Sequence, residues 1–145
     1  MHGLSAIDIL MVEDNPRDAE LALRALRKQN LANRVFVVED GVKALDFLFC
    51  RGEYAGREMS RPKVVLLDLK LPKINGLEVL AEIKKDERMR CIPVVVVSSS
   101  AEDPDVRRAF DLGANSYVVK PVEFDAFMQA MTQIGMYWLV VNKIC

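Results

Sequence analysis

The sequence predicts an α/β sandwich, a five-stranded parallel sheet in the order 2-1-3-4-5 with helices on both faces. Three observations carry this prediction. Five short strand-like runs, Ile7–Val12, Arg34–Val38, Val64–Leu67, Val94–Val97 and Ser116–Val119, each precede a segment with helical signals. Several of these runs are apolar at every position, as strands buried on both faces require. Short turns and right-handed crossovers covering both faces favour that strand order, as in flavodoxin-like folds.

Taken in order, Ile7–Val12 ends in Glu13-Asp14. Asn15-Pro16 then supplies a capping residue and a proline at the first helical position. In the helix that follows, Ala19, Leu23, Leu26 and Asn30 mark an inner face, and Arg17, Arg24 and Lys28 point outward. After the second strand, Asp40-Gly41 opens a helix with Leu45, Leu48 and Phe49 at apolar positions. The glycine- and charge-rich stretch Arg51–Arg61 reads as the longest loop, either an insertion or a flexible connector. The third strand runs into Asp68 and a turn containing Pro72 and Gly76, followed by a helix with Leu77, Leu80 and Ile83 or Lys84 at helical spacing. Pro93 starts the fourth strand, which ends in Ser98-Ser99-Ser100. Glu102-Asp103-Pro104 caps a short helix expected to turn Val106, Ala109 and Phe110 inward, and Gly113 stops it. The fifth strand ends at Lys120-Pro121, and a last helix is expected from about Glu123 to Val141.

The 145 residues read as one domain, 1–145, long enough to bury roughly 70% of the surface of its unfolded chain. With 20 Lys and Arg against 21 Asp and Glu, charge nearly cancels; no basic block or aromatic stripe points to nucleic acid. No run is long and apolar enough for a signal peptide or a membrane span. Cys50, Cys91 and Cys145 are odd in number, widely spaced and without a CxxC pair, so neither a disulfide framework nor a zinc site is expected and a reducing cytoplasm fits. His2 is the one histidine, which removes Ser/His/Asp and Cys/His nucleophilic sites. Chemistry must run on carboxylates, hydroxyls and lysines.

In this fold strands one, three, four and five end on one rim, and the residues there are Glu13 and Asp14, Asp68, Ser98, and Lys120. Adjacent carboxylates repel by about 4 kcal/mol per pair at ~4 Å with an effective dielectric of ~20. Either one acid holds a proton or a cation neutralises the group. Oxygen ligands without His or Cys suit Mg²⁺, which takes one or two carboxylates plus a phosphoryl oxygen. Read singly, Glu13-Asp14 are also ordinary helix-capping acids, the serine run an ordinary loop and Lys120 a solvated strand end. Their coincidence at four carboxyl ends favours a phosphoryl pocket.

As a set these residues resemble the response regulator receiver domains of two-component signalling, over nearly the whole chain. The resemblance rests on Val12-Glu13-Asp14-Asn15, on Asp68 with Pro72 and Gly76 at offsets of four and eight, and on Ser98, Tyr117 and Lys120-Pro121. It implies that Asp68 accepts a phosphoryl group from a phosphohistidine. It also implies that Asp14, Asp68 and the backbone carbonyl of Lys70 bind Mg²⁺ directly, with Glu13 acting through water. Ser98 and Lys120 would contact the phosphoryl group, Tyr117 would swing inward as Ser98 moves, and the Lys120-Pro121 peptide would be cis. The resemblance also implies that Lys70 and Ser100 would tune the lifetime of the phosphorylated state. In that family Ser98 stands where threonine is commoner, which implies a looser switching geometry, and Lys70 stands where a smaller or amide residue is commoner, so an altered lifetime is expected.

No output domain follows the last helix, so a stand-alone cytoplasmic regulator acting through protein contacts is expected. Its partner would be a sensor histidine kinase or phosphotransfer protein, and Glu13-Asp14-Asn15-Pro16, Arg61-Pro62, Ala114-Asn115-Ser116-Tyr117 and Tyr137-Trp138 are similar to the phytochrome-associated group. Apolar residues late in the last helix, Met136, Tyr137, Leu139, Val140 and Ile144, favour a protein partner or a homodimer, the latter through helix four, strand five and helix five. The alternative is a Mg²⁺-dependent small-molecule phosphatase or phosphotransferase using Asp68. It lacks a general acid two residues on, where Lys70 stands.

Overall fold

A computed structural model describes residues 8–28, 34–58 and 60–133. Strands β1 (Ile9–Val12), β2 (Val35–Val38), β3 (Val64–Asp68), β4 (Val94–Ser98) and β5 (Ser116–Val119) alternate with helices α1 (Pro16–Lys28), α2 (Gly41–Leu48), α3 (Gly76–Lys85), α4 (Pro104–Asp111) and α5 (Phe124–Gln133). The strands form one parallel sheet in the predicted order β2-β1-β3-β4-β5. Every residue of β1, β3 and β4 is buried, which is why these strands read as unbroken apolar runs. At the sheet edge β5 alternates instead, burying Ser116 and Val118 and exposing Tyr117 and Val119.

Helix starts follow the capping residues. The Asn15 side chain accepts from the Arg17 and Asp18 amides at 2.9 and 3.1 Å, with Pro16 opening α1. Asp40 caps α2 by accepting from the Lys43 amide at 2.8 Å, and its other oxygen meets Lys73 Nζ at 3.2 Å. That ion pair ties the β3–α3 loop to the start of α2. Asn75 and Glu78 form a reciprocal capping box on α3. Gly113, at φ 111, takes the left-handed conformation that stops α4.

The core contains Ala19, Ala22 and Leu26 of α1, Leu45 and Leu48 of α2, Val79, Leu80 and Ile83 of α3, and Phe127, Ala130 and Met131 of α5. Leu23 and Phe49 are only partly buried, and the principal ring from α2 is Phe47, which the helical spacing did not single out. Phe110 corrects the expectation of an inward-facing residue. It is 42% exposed, because Val106 and Ala109 already fill the inner face of α4. Asn30 and the apolar residues from Met136 onward lie outside the described residues.

The described residues of the Arg51–Arg61 stretch are mostly exposed but are anchored on the core through Tyr54 and Arg57. A 3-10 turn, Gly52–Tyr54, sets the Tyr54 ring edge-on to Phe36 and Phe47 at centroid distances of 5.9 and 5.3 Å. The Arg57 guanidinium lies 3.8 Å over the Phe47 ring, and its Nη atoms donate to the carbonyls of Glu58 and Ser60. The cysteine expectation also needs correction. Cys50 is a free thiol but Cys91 is disulfide-bonded, since spacing along the chain does not limit which residues a fold brings together.

Candidate functional site

Strand register assembles the rim. Val12 pairs with Leu67, so Glu13 follows level with Asp68; Asp68 pairs with Val97 and Ser98 with Val119, so Lys120 follows one residue beyond β5. Close packing beneath the turn keeps Asp68 at the strand end. A Cβ on Gly76 would lie 2.5 Å from the Asp68 carbonyl oxygen and 2.5 Å from Leu69 Cα, so α3 can start this close to β3 only with glycine there.

Asp68 is buried, and both of its carboxylate oxygens are engaged. Oδ1 accepts from the Lys70 amide at 3.1 Å and Oδ2 from Lys120 Nζ at 2.9 Å. Lys120 directly follows β5, and its peptide bond to Pro121 is cis, as expected. Its ammonium also meets Glu13 at 3.1 Å and Asp18 at 3.0 Å. Asp14 is exposed at the mouth, and carboxylate oxygens of Glu13, Asp14 and Asp68 lie within 4.8 Å of one another. Such an all-oxygen set of hard donors fits a small divalent cation of the Mg²⁺ or Mn²⁺ class.

One ammonium cannot balance this many carboxylates. Burial, followed by the neighbouring Asp68 charge, pushes the Glu13 carboxyl up to about 7 against the opposing pull of the Asn15 amide and Lys120. Burial alone would depress the Lys120 ammonium, but Asp68, Asp18 and Glu13 hold it above the usual lysine range. The two directions are consistent: the site keeps the lysine charged and still has excess negative charge to shed by taking up a proton or a cation.

The remaining predicted residues flank this centre. Ser98 is buried at the end of β4, and its hydroxyl donates to the Ser100 carbonyl at 2.7 Å. The Ser100 hydroxyl accepts from the Glu102 amide at 3.1 Å, so it braces the loop. Tyr117 lies on the outer face of β5, edge-on to Phe110 at 6.0 Å. The Lys70 side chain is exposed, and its amide is what reaches Asp68. Asp18 was missed. In the sequence it is indistinguishable from an ordinary acid in the first turn of a helix, where the dipole favours negative charge.

Comparison with known proteins places this arrangement. A family model described as the response regulator receiver domain matches residues 9–132. The probable methanogenesis regulatory protein FilR2 of Methanothrix harundinacea is 44% identical over 135 residues, covering 93% of this chain and 85% of that protein. Response regulator Rcp1 of Synechocystis is 37% identical over 131 residues, covering 90% and 88%; its Mn²⁺-bound crystal structure aligns with a TM-score of 0.74 at 34% identity, covering 94% of this chain and 97% of that one. The bacteriophytochrome response regulator AtBRR aligns with a TM-score of 0.85 at 51% identity, covering 95% of this chain and 99% of that one. The chain therefore belongs to the response regulator receiver domains and works in phosphorylation-dependent two-component signalling.

Proposed function

We propose that Asp68 is the phosphoacceptor and that the domain relays a histidine kinase signal by changing a protein-contact surface. The carrying observation is the buried Asp68 carboxylate held 2.9 Å from Lys120 Nζ beside the Glu13 and Asp14 acids. An Asp68 oxygen bonds phosphorus as the bond to the donor nitrogen breaks and the leaving imidazole recovers a proton. Phosphoryl transfer of this kind needs positioning and charge stabilisation more than covalent chemistry from the protein. Asp14, Asp68 and the Lys70 carbonyl would hold Mg²⁺, with Glu13 acting through water. When bound, the ion supplies positive charge for the phosphoryl oxygens. Lys120 supplies the second cation, and Ser98 turns from the Ser100 carbonyl to the phosphoryl group. Tyr117 then leaves Phe110 for the space that Ser98 vacates. Titration with acetyl phosphate and Mg²⁺ tests this reading: one phosphoryl group per chain is expected, while repeated turnover of an added phosphoester counts against it. The small-molecule phosphatase alternative has no support among the relatives, which are regulators.

Lys70 and Ser100 set the lifetime of the phosphorylated state, Lys70 because its exposed side chain stands two residues past the acceptor. Lys70→Asn is expected to change the dephosphorylation rate about threefold or more, the scale of one solvent-exposed charge. An unchanged rate removes Lys70 from this role.

The partner is a sensor histidine kinase or phosphotransfer protein. Likeness to bacteriophytochrome response regulators supports a phytochrome kinase. Such a kinase partner places the chain in the cytoplasm, although the cysteines no longer argue for it. Among the described residues no helix is long and apolar enough to cross a membrane. Exposed Phe110 of α4 meets exposed Tyr117 of β5 edge-on, and Val119 is exposed on the same strand, which supports a homodimer through α4, β5 and α5. Light scattering with and without a phosphoryl mimic is expected to give a dimeric mass in at least one state; a monomer in both rejects the interface.

A further inference from the structure

Lys120 Nζ has three protons to donate and faces three carboxylates, Asp68 at 2.9 Å, Asp18 at 3.0 Å and Glu13 at 3.1 Å. Two of these acceptors, Glu13 and Asp68, also belong to the group whose oxygens converge on a cation position. Asp18 does not. It stands on α1, placed by its own amide, which donates to the Asn15 cap at 3.1 Å, and its side chain is 31% exposed where that of Asp68 is 5%. A cation offsets Glu13 and Asp68, and formation of the acyl phosphate removes the carboxylate charge of Asp68. Neither event satisfies Asp18.

We propose that Asp18 is a positioning residue that competes with the phosphoryl group for Lys120, weakening the phosphorylated state while aiding cation entry. The inference rests on Asp68 being the phosphoacceptor. Its physical content is a difference in sign. An incoming phosphoryl group must draw the ammonium from Asp18 and is itself repelled by that carboxylate, so removing the Asp18 charge favours the anion. A cation gains from the same carboxylate twice: through direct attraction, and because Asp18 draws the ammonium partly away from Glu13 and Asp68. Removing the charge therefore disfavours the cation. A purely structural role for Asp18 would weaken both kinds of binding together.

The test measures two equilibria on the full chain: Mg²⁺ binding by calorimetry, and binding of the phosphoryl mimic beryllofluoride at saturating Mg²⁺. Asp18→Asn is expected to bind the mimic about threefold more tightly and Mg²⁺ about twofold more weakly, the scale of a partly exposed ion pair. Asp18→Glu, which keeps the charge, is expected to bring both constants back toward wild type. Constants that are unchanged in Asp18→Asn, or that both move in the same direction, overturn the inference and leave the Asp68 reading intact. Wild-type protein that neither takes up the mimic nor accepts label from acetyl phosphate overturns both.

Discussion

Asp68→Asn is expected to reduce labelling by acetyl phosphate from one equivalent per chain to background while leaving the domain folded. An amide nitrogen offers no nucleophilic lone pair, and the remaining carbonyl oxygen is a far weaker nucleophile than a carboxylate. The fold should survive because the substitution is isosteric and removes charge from an overcrowded acid group. Asp68 and Glu13 share one ammonium, and a carboxylate pair at about 4 Å costs about 4 kcal/mol at an effective dielectric of ~20. Lys120 keeps Glu13 and Asp18 as partners. The Lys70 amide can still donate to the carbonyl oxygen of the substituted side chain, which takes the place of Asp68 Oδ1. Intact-mass measurement checks the labelling, and urea unfolding is expected to show a midpoint at or above that of wild type. A variant that still takes one equivalent of phosphoryl group would move the acceptor to another residue.

The parts of this molecule that were readable in the sequence are those in which local chemistry and final environment coincide. β1, β3 and β4 are buried at every residue, so their apolar runs needed no knowledge of partners. Glu13, Asp14, Asp68 and Lys120 each stand at or just past the end of a strand, and parallel pairing brings consecutive strand ends to the same rim. What remained hidden depends on contacts between distant elements. Helical spacing puts Phe110 beside Val106, but the inner face of α4 is narrow, and the ring instead covers Tyr117 at the sheet edge. The Arg51–Arg61 segment looks like a solvated loop from its charges, yet Tyr54 and Arg57 anchor it on Phe47. Asp18 becomes a site residue only because α1 passes Lys120, 102 positions further along the chain. The rotamer of Ser98 follows from the position of the Ser100 carbonyl, which no pattern in the sequence records.

The proton held in the acid group leads to the second large expectation: Mg²⁺ affinity falls steeply as the solution is acidified below neutrality. Burial and the Asp68 charge raise Glu13 from an ordinary 4.5 to about 7, so between those values the folded domain holds a proton that the unfolded chain has released. The sign follows. Without a cation, stability contributed by this group is present at low pH and is lost as the pH rises through that window, because deprotonation leaves excess negative charge beside Lys120. Cation binding works in the opposite direction, since a divalent ion must displace the proton before the acids can serve it. For one displaced proton the affinity falls roughly tenfold per pH unit, or roughly a hundredfold between about pH 7 and about pH 5. Calorimetric titration across that range, repeated in buffers of different ionisation enthalpy, measures both the slope and the proton released. Glu13→Gln keeps the shape of the side chain but cannot titrate, so its affinity is expected to be weaker near neutrality and nearly flat over the same interval. A wild-type affinity that does not change across the window would show that the acids are already ionised, and that Lys120, shared among Glu13, Asp18 and Asp68, balances them without a proton.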